Sequence, residues 1–273
     1  MKRRIPWFQV GLRGFWYLTL LFLYVPLVYV VLYSFNAANS YARFPGFSLR
    51  WYETMLANPY LMGALYNSVV LALTSAVIAT AIGAVLGYGM YRYREMKLGW
   101  LIWFIYLPIV MPDIVYGISQ MTFFVTIHDL TGLLRPSLTT MIIAHVSFQV
   151  PFVALLIYSQ LVRMDPLLFE ATQDLYAAPL QRAWFFVLPA IRASLISGFF
   201  LSITLSIDDF VISFFTSGPD STTLPIFIWS AIKRGVTPEI NAISALMIFA
   251  VFSAALIIYV FQRVRPSRDP GTA

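Results

Sequence analysis

Apolar residues run along this chain in long blocks, with neither the alternation of a half-buried strand nor the charged face of a surface helix. Six blocks reach the roughly 18 to 20 residues a helix needs to cross a bilayer. They cover about 15–35, 63–91, 98–126, 138–161, 192–216 and 241–262. The second and third exceed one bilayer thickness, so they must tilt, kink or protrude. The first block follows the basic start MKRR, yet its apolar run is too long for a signal core and no A-x-A site follows, so it reads as an uncleaved anchor. One stretch interrupts the pattern: FEATQDLYAAPLQRAWFFVLP, Phe169 to Pro189, carries Glu170, Asp174, Arg182 and two prolines between long apolar runs. The expected fold is all-α and polytopic, with six transmembrane helices over 15–262, a loop at about 163–190, an N-terminal segment 1–14 and a tail 263–273.

Composition strengthens this picture. Of 273 residues 60% are hydrophobic and only 11% charged, and the mean hydropathy is +0.77. Soluble domains carry about a quarter charged residues. The net charge of +6 therefore reads as topology, with no nucleic-acid partner implied. Lys2, Arg3, Arg4, Arg13, Arg92, Arg94, Lys97, Arg163, Arg182, Arg192, Arg263, Arg265 and Arg268 fall on one side of the expected spans. Only Arg43, Arg50, Arg135, Lys233 and Arg234 fall on the other. An even number of spans with that bias puts both termini in the cytoplasm, and the 163–190 loop with them. There is no cysteine, which excludes disulfides and thiolate metal sites.

Three carboxylates lie inside expected spans: Asp113, Asp208 and Asp209. Each costs several kcal/mol at membrane depth unless it faces protein, water or a cation. No lysine or arginine lies at that depth to pair with them, which points to a path for cations. Asp113 also fits a plainer role, capping a helix that restarts after Pro108 and Pro112. In SGFFLSITLSIDDFVISFF, Gly198, Ser202, Ser206, Asp209 and Ser213 recur every three or four residues and share one face of an unbroken helix. Asp208 falls about 100° away, beside Thr204. One aspartate can line a lumen while the other bonds a neighbouring helix; the sequence leaves open which. Small-residue helix packing accounts for the serines but not for two adjacent carboxylates. Ala79, Gly83 and Gly87 form a second small-residue ridge, read as structural. His128 and His145 show no ligand pattern, so no metal site is expected. No Walker A sequence or nucleophile elbow occurs. Neither a catalytic residue nor a cofactor is expected on this chain, and any ATP it uses is bound by another.

In the loop, Asp165-Pro166 is a helix start, with Asp165 as cap and Pro166 at the first helical position. That helix runs to about Leu175, and Pro179 starts a second short helix ending near Pro189. Leu167, Ala171 and Leu175 share one face, with Glu170 and Asp174 beside them at an i,i+4 spacing. A short amphipathic helix between two spans suits docking into a groove on a soluble partner. An interfacial helix on lipid is the alternative, and two acids against one arginine make anionic lipid a poor surface for it.

This segment resembles the EAA motif of ABC importer permeases, in which Glu-Ala-Ala is followed by a turn glycine and a terminal Leu-Pro. The matching residues are Glu170, Ala171, Asp174, Leu175, Ala177, Leu188 and Pro189. Thr172 departs from the third-position alanine, and Tyr176 stands where the glycine belongs, so a tyrosine must take a conformation that glycine takes cheaply or the turn must differ. YVPLVYVVLYSFN, LPIVMPDIVYGIS and LSIDDFVISFFTSGPDSTTLPIFIWSAIKRGVTPEINA are similar to polyamine (spermidine/putrescine) importer permeases, within them to the C-type subunit, so the resemblance spans nearly the whole chain.

The resemblance implies a type I importer of the bacterial inner membrane that moves polyamines from periplasm to cytoplasm by alternating access. Its partners would be a second, homologous permease, two ATPase subunits holding ATP and Mg2+, and a periplasmic polyamine-binding protein. Glu170, Ala171, Asp174, Leu175, Tyr176 and Ala177 would couple the loop to an ATPase. A polycation crossing hydrocarbon needs carboxylates and aromatic faces; Asp113 with Tyr116, the Asp208/Asp209 pair, and Glu239 with Trp229 supply both. Permeases of this build carry other cationic or small organic solutes too. A self-sufficient ion-coupled transporter fits less well, for lack of an obvious inverted repeat.

Overall fold

A computed structural model of the chain describes residues 7–39, 43–95, 99–174, 176, 178–235 and 237–264. The described residues are helical almost throughout, with one isolated bridge between Asn36 and Phe47. They divide into two compact units, Met1–Met62 with Ser230–Ala273, and Gly63–Trp229.

In the first unit, helix α12 (Pro238–Val264) packs on α1 (Trp7–Ser34) and α2 (Arg50–Ala57). The turn leaving α1 is fixed by the Trp51 indole, which donates to the Asn36 carbonyl at 2.6 Å, and by a 2.8 Å bond between Ser34 Oγ and the Tyr52 hydroxyl. Trp51, Met55, Leu61, Ile240 and Ile243 are buried around it. Phe15, Leu18 and Phe22 of α1 stay exposed, as on a helix whose solvent is lipid.

The second unit is centred on α3 (Pro59–Arg92), α6 (Leu138–Val162) and α9 (Leu188–Ile207). Gly83 and Gly87 bring α3 against α6. A Cβ at Gly83 would sit 2.6 Å from Val153 Cβ, and one at Gly87 2.5 Å from the Ala154 carbonyl oxygen. The ridge read from the sequence is thus a close helix contact. Val153 also meets Gly198 on α9, where an added Cβ would lie 3.1 Å away. The buried Gln149 amide donates to Ser75 Oγ at 3.3 Å and to the Ser202 carbonyl at 3.1 Å, tying all three helices with one side chain.

Among the described residues, four helices are long and apolar enough to cross a membrane: Gln9–Ser34, Pro59–Arg92, Leu138–Val162 and Pro179–Ile207. The third expected span is not one helix. It breaks into α4 (Gly99–Val110) and α5 (Asp113–Thr131), which meet at 109°, and counted as one bent span they make a fifth crossing. Pro112 lacks an N–H and its ring blocks the preceding turn, so the helix stops before it. Asp113 is not the cap here: Pro112 holds that position, and Asp113 sits in the first turn of α5, where a negative charge complements the helix dipole. α12 is a helix of 27 residues, and its stretch Pro238–Ser253 is apolar.

The fifth expected span is also broken. After α9 the chain is irregular at Asp208–Phe210 and restarts as α10 (Val211–Thr216). At the other end, the expected short helix from Pro179 to Pro189 is not separate. From α8 (Pro179–Arg182) the backbone passes through a π-helical turn at Ala183–Val187 directly into α9. The Leu188 N–H reaches back five residues to the Ala183 carbonyl. This wider turn gives room for Pro189, which in an α-helix would clash with the carbonyl four residues earlier.

Candidate substrate-pathway and coupling sites

The two helix breaks come together. α5 packs on α10 through Gly117, where a Cβ would lie 2.9 Å from Phe215 Cδ2, and Tyr116, Phe124, Ala144 and Ile212 are buried in the shared core. This brings the start of α5 close to the end of α9. Asp208 lies within electrostatic range of its neighbour Asp209 and of Asp113 at the start of α5. Asp113 and Asp208 are both exposed. After Asp208, the Phe210 ring lies between those of Phe214 and Trp229, with centroids 5.4 Å apart in each pair and the planes tilted by 34° and 48°. Two outward carboxylates beside a row of aromatic faces can hold an organic cation through charge and cation–π contact.

The two adjacent aspartates do different things. The Asp209 carboxylate turns inward and accepts the backbone N–H of Ile212 at 3.2 Å and of Ser213 at 2.8 Å, capping α10. His145 Nε2 on α6 lies 3.4 Å from it. The same ring reaches Ser206 Oγ through Nδ1 at 2.9 Å and Ser213 Oγ through Nε2 at 3.1 Å. The stripe of Gly198, Ser202, Ser206 and Ser213 is therefore buried helix packing, and Asp209 belongs to it. Asp208, like Thr204, stays outside.

The other expected residues divide. Tyr116 is buried, its hydroxyl 2.7 Å from Ser147 Oγ and its ring against Phe148, so its face is spent on packing. Trp229 joins Phe210. Glu239 belongs to the first unit, in the first turn of α12, and accepts from the Thr237 hydroxyl at 3.2 Å. His145 was read from the sequence only as a poor metal ligand. The signal for its role was there: with Gln149 it forms a polar i,i+4 pair in an apolar span, a spacing that faces one neighbour.

In the loop, α7 (Pro166–Asp174) starts as expected, with the Leu167 N–H donating to Asp165 Oδ1 at 3.0 Å. Leu167, Glu170, Ala171 and Asp174 are exposed together. Leu175 and Ala177 lie outside the described residues. Tyr176 has φ of +53°, the left-handed conformation that the glycine of the motif would take, and its side chain is 96% exposed. The loop is seated by Phe169, which the sequence did not single out. Its ring lies 4.9 Å from Tyr91 and 5.0 Å from Phe186, on a core of Val153, Ile157, Leu161 and Val187. Beside it Tyr91, Arg92, Arg94, Glu170 and Arg182 line a cavity of about 200 Å³.

Such a chain, its described residues almost all helical and its apolar helices broken beside exposed and part-buried acids, has the fold of an ABC importer permease. A solved bacterial ABC transporter involved in import of the acidic polysaccharide alginate shares it, with a TM-score of 0.68 over 96% of this chain and 99% of that one at 15% identity. The bacterial alginate ABC transporter in complex with alginate pentasaccharide-bound periplasmic protein matches with a TM-score of 0.73, over 99% of this chain and 98% of that one at 14% identity. No family profile matches the chain. In sequence it is 35% identical to the Escherichia coli putrescine transport system permease protein PotI, covering 97% of this chain and 94% of that protein. It is 34% identical to the Haemophilus influenzae spermidine/putrescine transport system permease protein PotC, covering 90% and 93%, and 32% identical to the Escherichia coli PotC, covering 87% of each. The chain belongs to the permease subunits of spermidine/putrescine ABC transporters. It is a membrane subunit of an ATP-driven importer.

Proposed function

We propose that this permease moves polyamines from periplasm to cytoplasm by alternating access, with Asp113 and Asp208 as the charged step of the path and Phe210, Phe214 and Trp229 as its aromatic wall. The observation that carries this is an exposed carboxylate at each of two helix breaks, Asp113 and Asp208, with the Phe210, Phe214 and Trp229 rings gathered beside the second. A polyamine presents ammonium groups separated by short methylene runs, so it needs spaced negative charge and apolar contact together. Polyamine relatives at up to 35% identity support the same substrate class. Glu239 would serve the outer side. In this reading six spans put both termini in the cytoplasm, a second permease completes the pathway, and a periplasmic binding protein delivers the solute. Two ATPase subunits, holding ATP and Mg2+, dock on the α7–α8 loop through Glu170, Ala171, Asp174, Leu175, Tyr176 and Ala177, and closing them swings the permeases outward.

The test is ATPase activity of the reconstituted complex, with its binding protein, across putrescine, spermidine, an opine and an anionic sugar acid. Polyamines should stimulate hydrolysis and the anion should not. Stimulation by the anion alone, or by none of the amines, refutes the reading.

A further inference from the structure

The irregular passage Asp208–Phe210 presents Asp208, yet three non-helical residues between two helices have no fixed orientation of their own. Something must hold both ends. On the α9 side the hold is Ser206, on the α10 side Ser213 and the capped N–H groups of Ile212 and Ser213, and all of them converge on Asp209 and on one imidazole from α6. His145 is 1% exposed, so it cannot touch a solute. A carboxylate only accepts, so Nε2 carries a proton toward Asp209 and Ser213, while Nδ1 shares a hydrogen bond with the Ser206 hydroxyl, which can donate or accept. A packing histidine needs one partner. This one bridges the two sides of a helix break with its two nitrogens. An apolar side chain of equal volume would fill the space and leave the Asp209 carboxylate without the imidazole donor.

We infer that His145 is a positioning residue for transport: by clamping Ser206, Asp209 and Ser213 across the break, it fixes where Asp208 is presented beside Asp113. The inference rests on the reading of Asp208 as part of the pathway. It predicts that His145 acts on solute affinity only through Asp208, whereas a merely structural histidine would change the amount of assembled complex and nothing else.

The experiment uses the complete complex in proteoliposomes and follows uptake against putrescine concentration, with the quantity of assembled complex measured in parallel. Asp208→Asn should raise KM about tenfold, on the order of 1.4 kcal/mol. His145→Ala should raise KM similarly at an unchanged amount of complex. His145→Gln, whose amide can still donate to Asp209, should stay within about twofold of wild type. The double variant His145→Ala with Asp208→Asn should be no worse than Asp208→Asn alone, since the two changes remove one function. Unchanged KM in Asp208→Asn overturns the pathway reading by itself. A raised KM in Asp208→Asn with none in His145→Ala, or full additivity in the double variant, overturns the positioning role alone. Should the alanine variant not assemble, His145→Asn, too short to reach both serines, takes its place under the same KM criterion.

Discussion

Tyr176 is held where its backbone is unfavourable, and replacing it by glycine separates two contributions. A residue with a Cβ at φ of +53° carries about 1–2 kcal/mol of steric cost. Glycine removes that cost but loses about 0.5–1 kcal/mol more conformational entropy on ordering. Taken at the middle of each range, the balance is about 0.75 kcal/mol in favour of Tyr176→Gly, or about a three- to fourfold shift in the opening equilibrium of the turn. The ring is 96% exposed, so little packing within the chain opposes the change. Amide hydrogen exchange across 172–182 reads this directly: in the isolated permease the glycine variant should exchange about three- to fourfold more slowly. Tyr176→Ala keeps the strained backbone and deletes only the ring, so it should exchange like wild type. Faster exchange in the glycine variant, or an alanine variant that reproduces the glycine effect, refutes the strain reasoning. In the full complex the order should reverse for function. Both variants should lower uptake per ATP if the exposed ring is what the ATPase groove grips.

Other perturbations test other levels. Gly87→Leu drives a side chain into the Ala154 carbonyl and Ile157 and should destabilise the α3–α6 contact by about 1–3 kcal/mol, read as a lower unfolding temperature in detergent. Asp209→Asn weakens a cap and a buried histidine contact and should cost about 1–3 kcal/mol of stability, whereas Asp208→Asn should change uptake without changing unfolding; the reverse assignment would show that the inward and outward aspartates were exchanged. Glu170→Lys should leave insertion intact while weakening ATPase association and uncoupling hydrolysis from uptake, and unchanged uptake would remove the coupling role.

Much of this was legible because a bilayer imposes length and polarity on the chain. The apolar blocks mark α6 to within a residue and the far ends of α1 and α3 as closely, though α1 begins eight residues and α3 four residues before its block; the cap at Asp165 starts α7, and the missing glycine at Tyr176 marks a left-handed turn. What the sequence concealed were breaks inside apolar blocks. Hydropathy does not distinguish a continuous helix from two at 109°, and Pro112 alone does not say how far the second half turns. The helical wheel through Ser206, Asp209 and Ser213 put them on one face for the wrong reason. The helix ends between them, and His145, a residue with no pattern of its own, gathers them again. Phe169 was hidden similarly, since one aromatic in an aromatic-rich chain carries no signal until Tyr91 and Phe186 close around it.

The π-helical turn at Ala183–Val187 sets an angular phase as well as making room for Pro189. One residue beyond an α-helical count turns everything before it by about 100° relative to everything after it. Pro179–Arg182 and the stripe of Gly198, Ser202 and Ser206 lie on the same rod, so the direction in which the loop faces is indexed to the buried face by that single extra residue. Deleting one residue within Ala183–Val187 would keep the composition and the span. It would rotate the start of the rod by about a quarter turn, leaving a permease that inserts normally but offers its loop in the wrong direction.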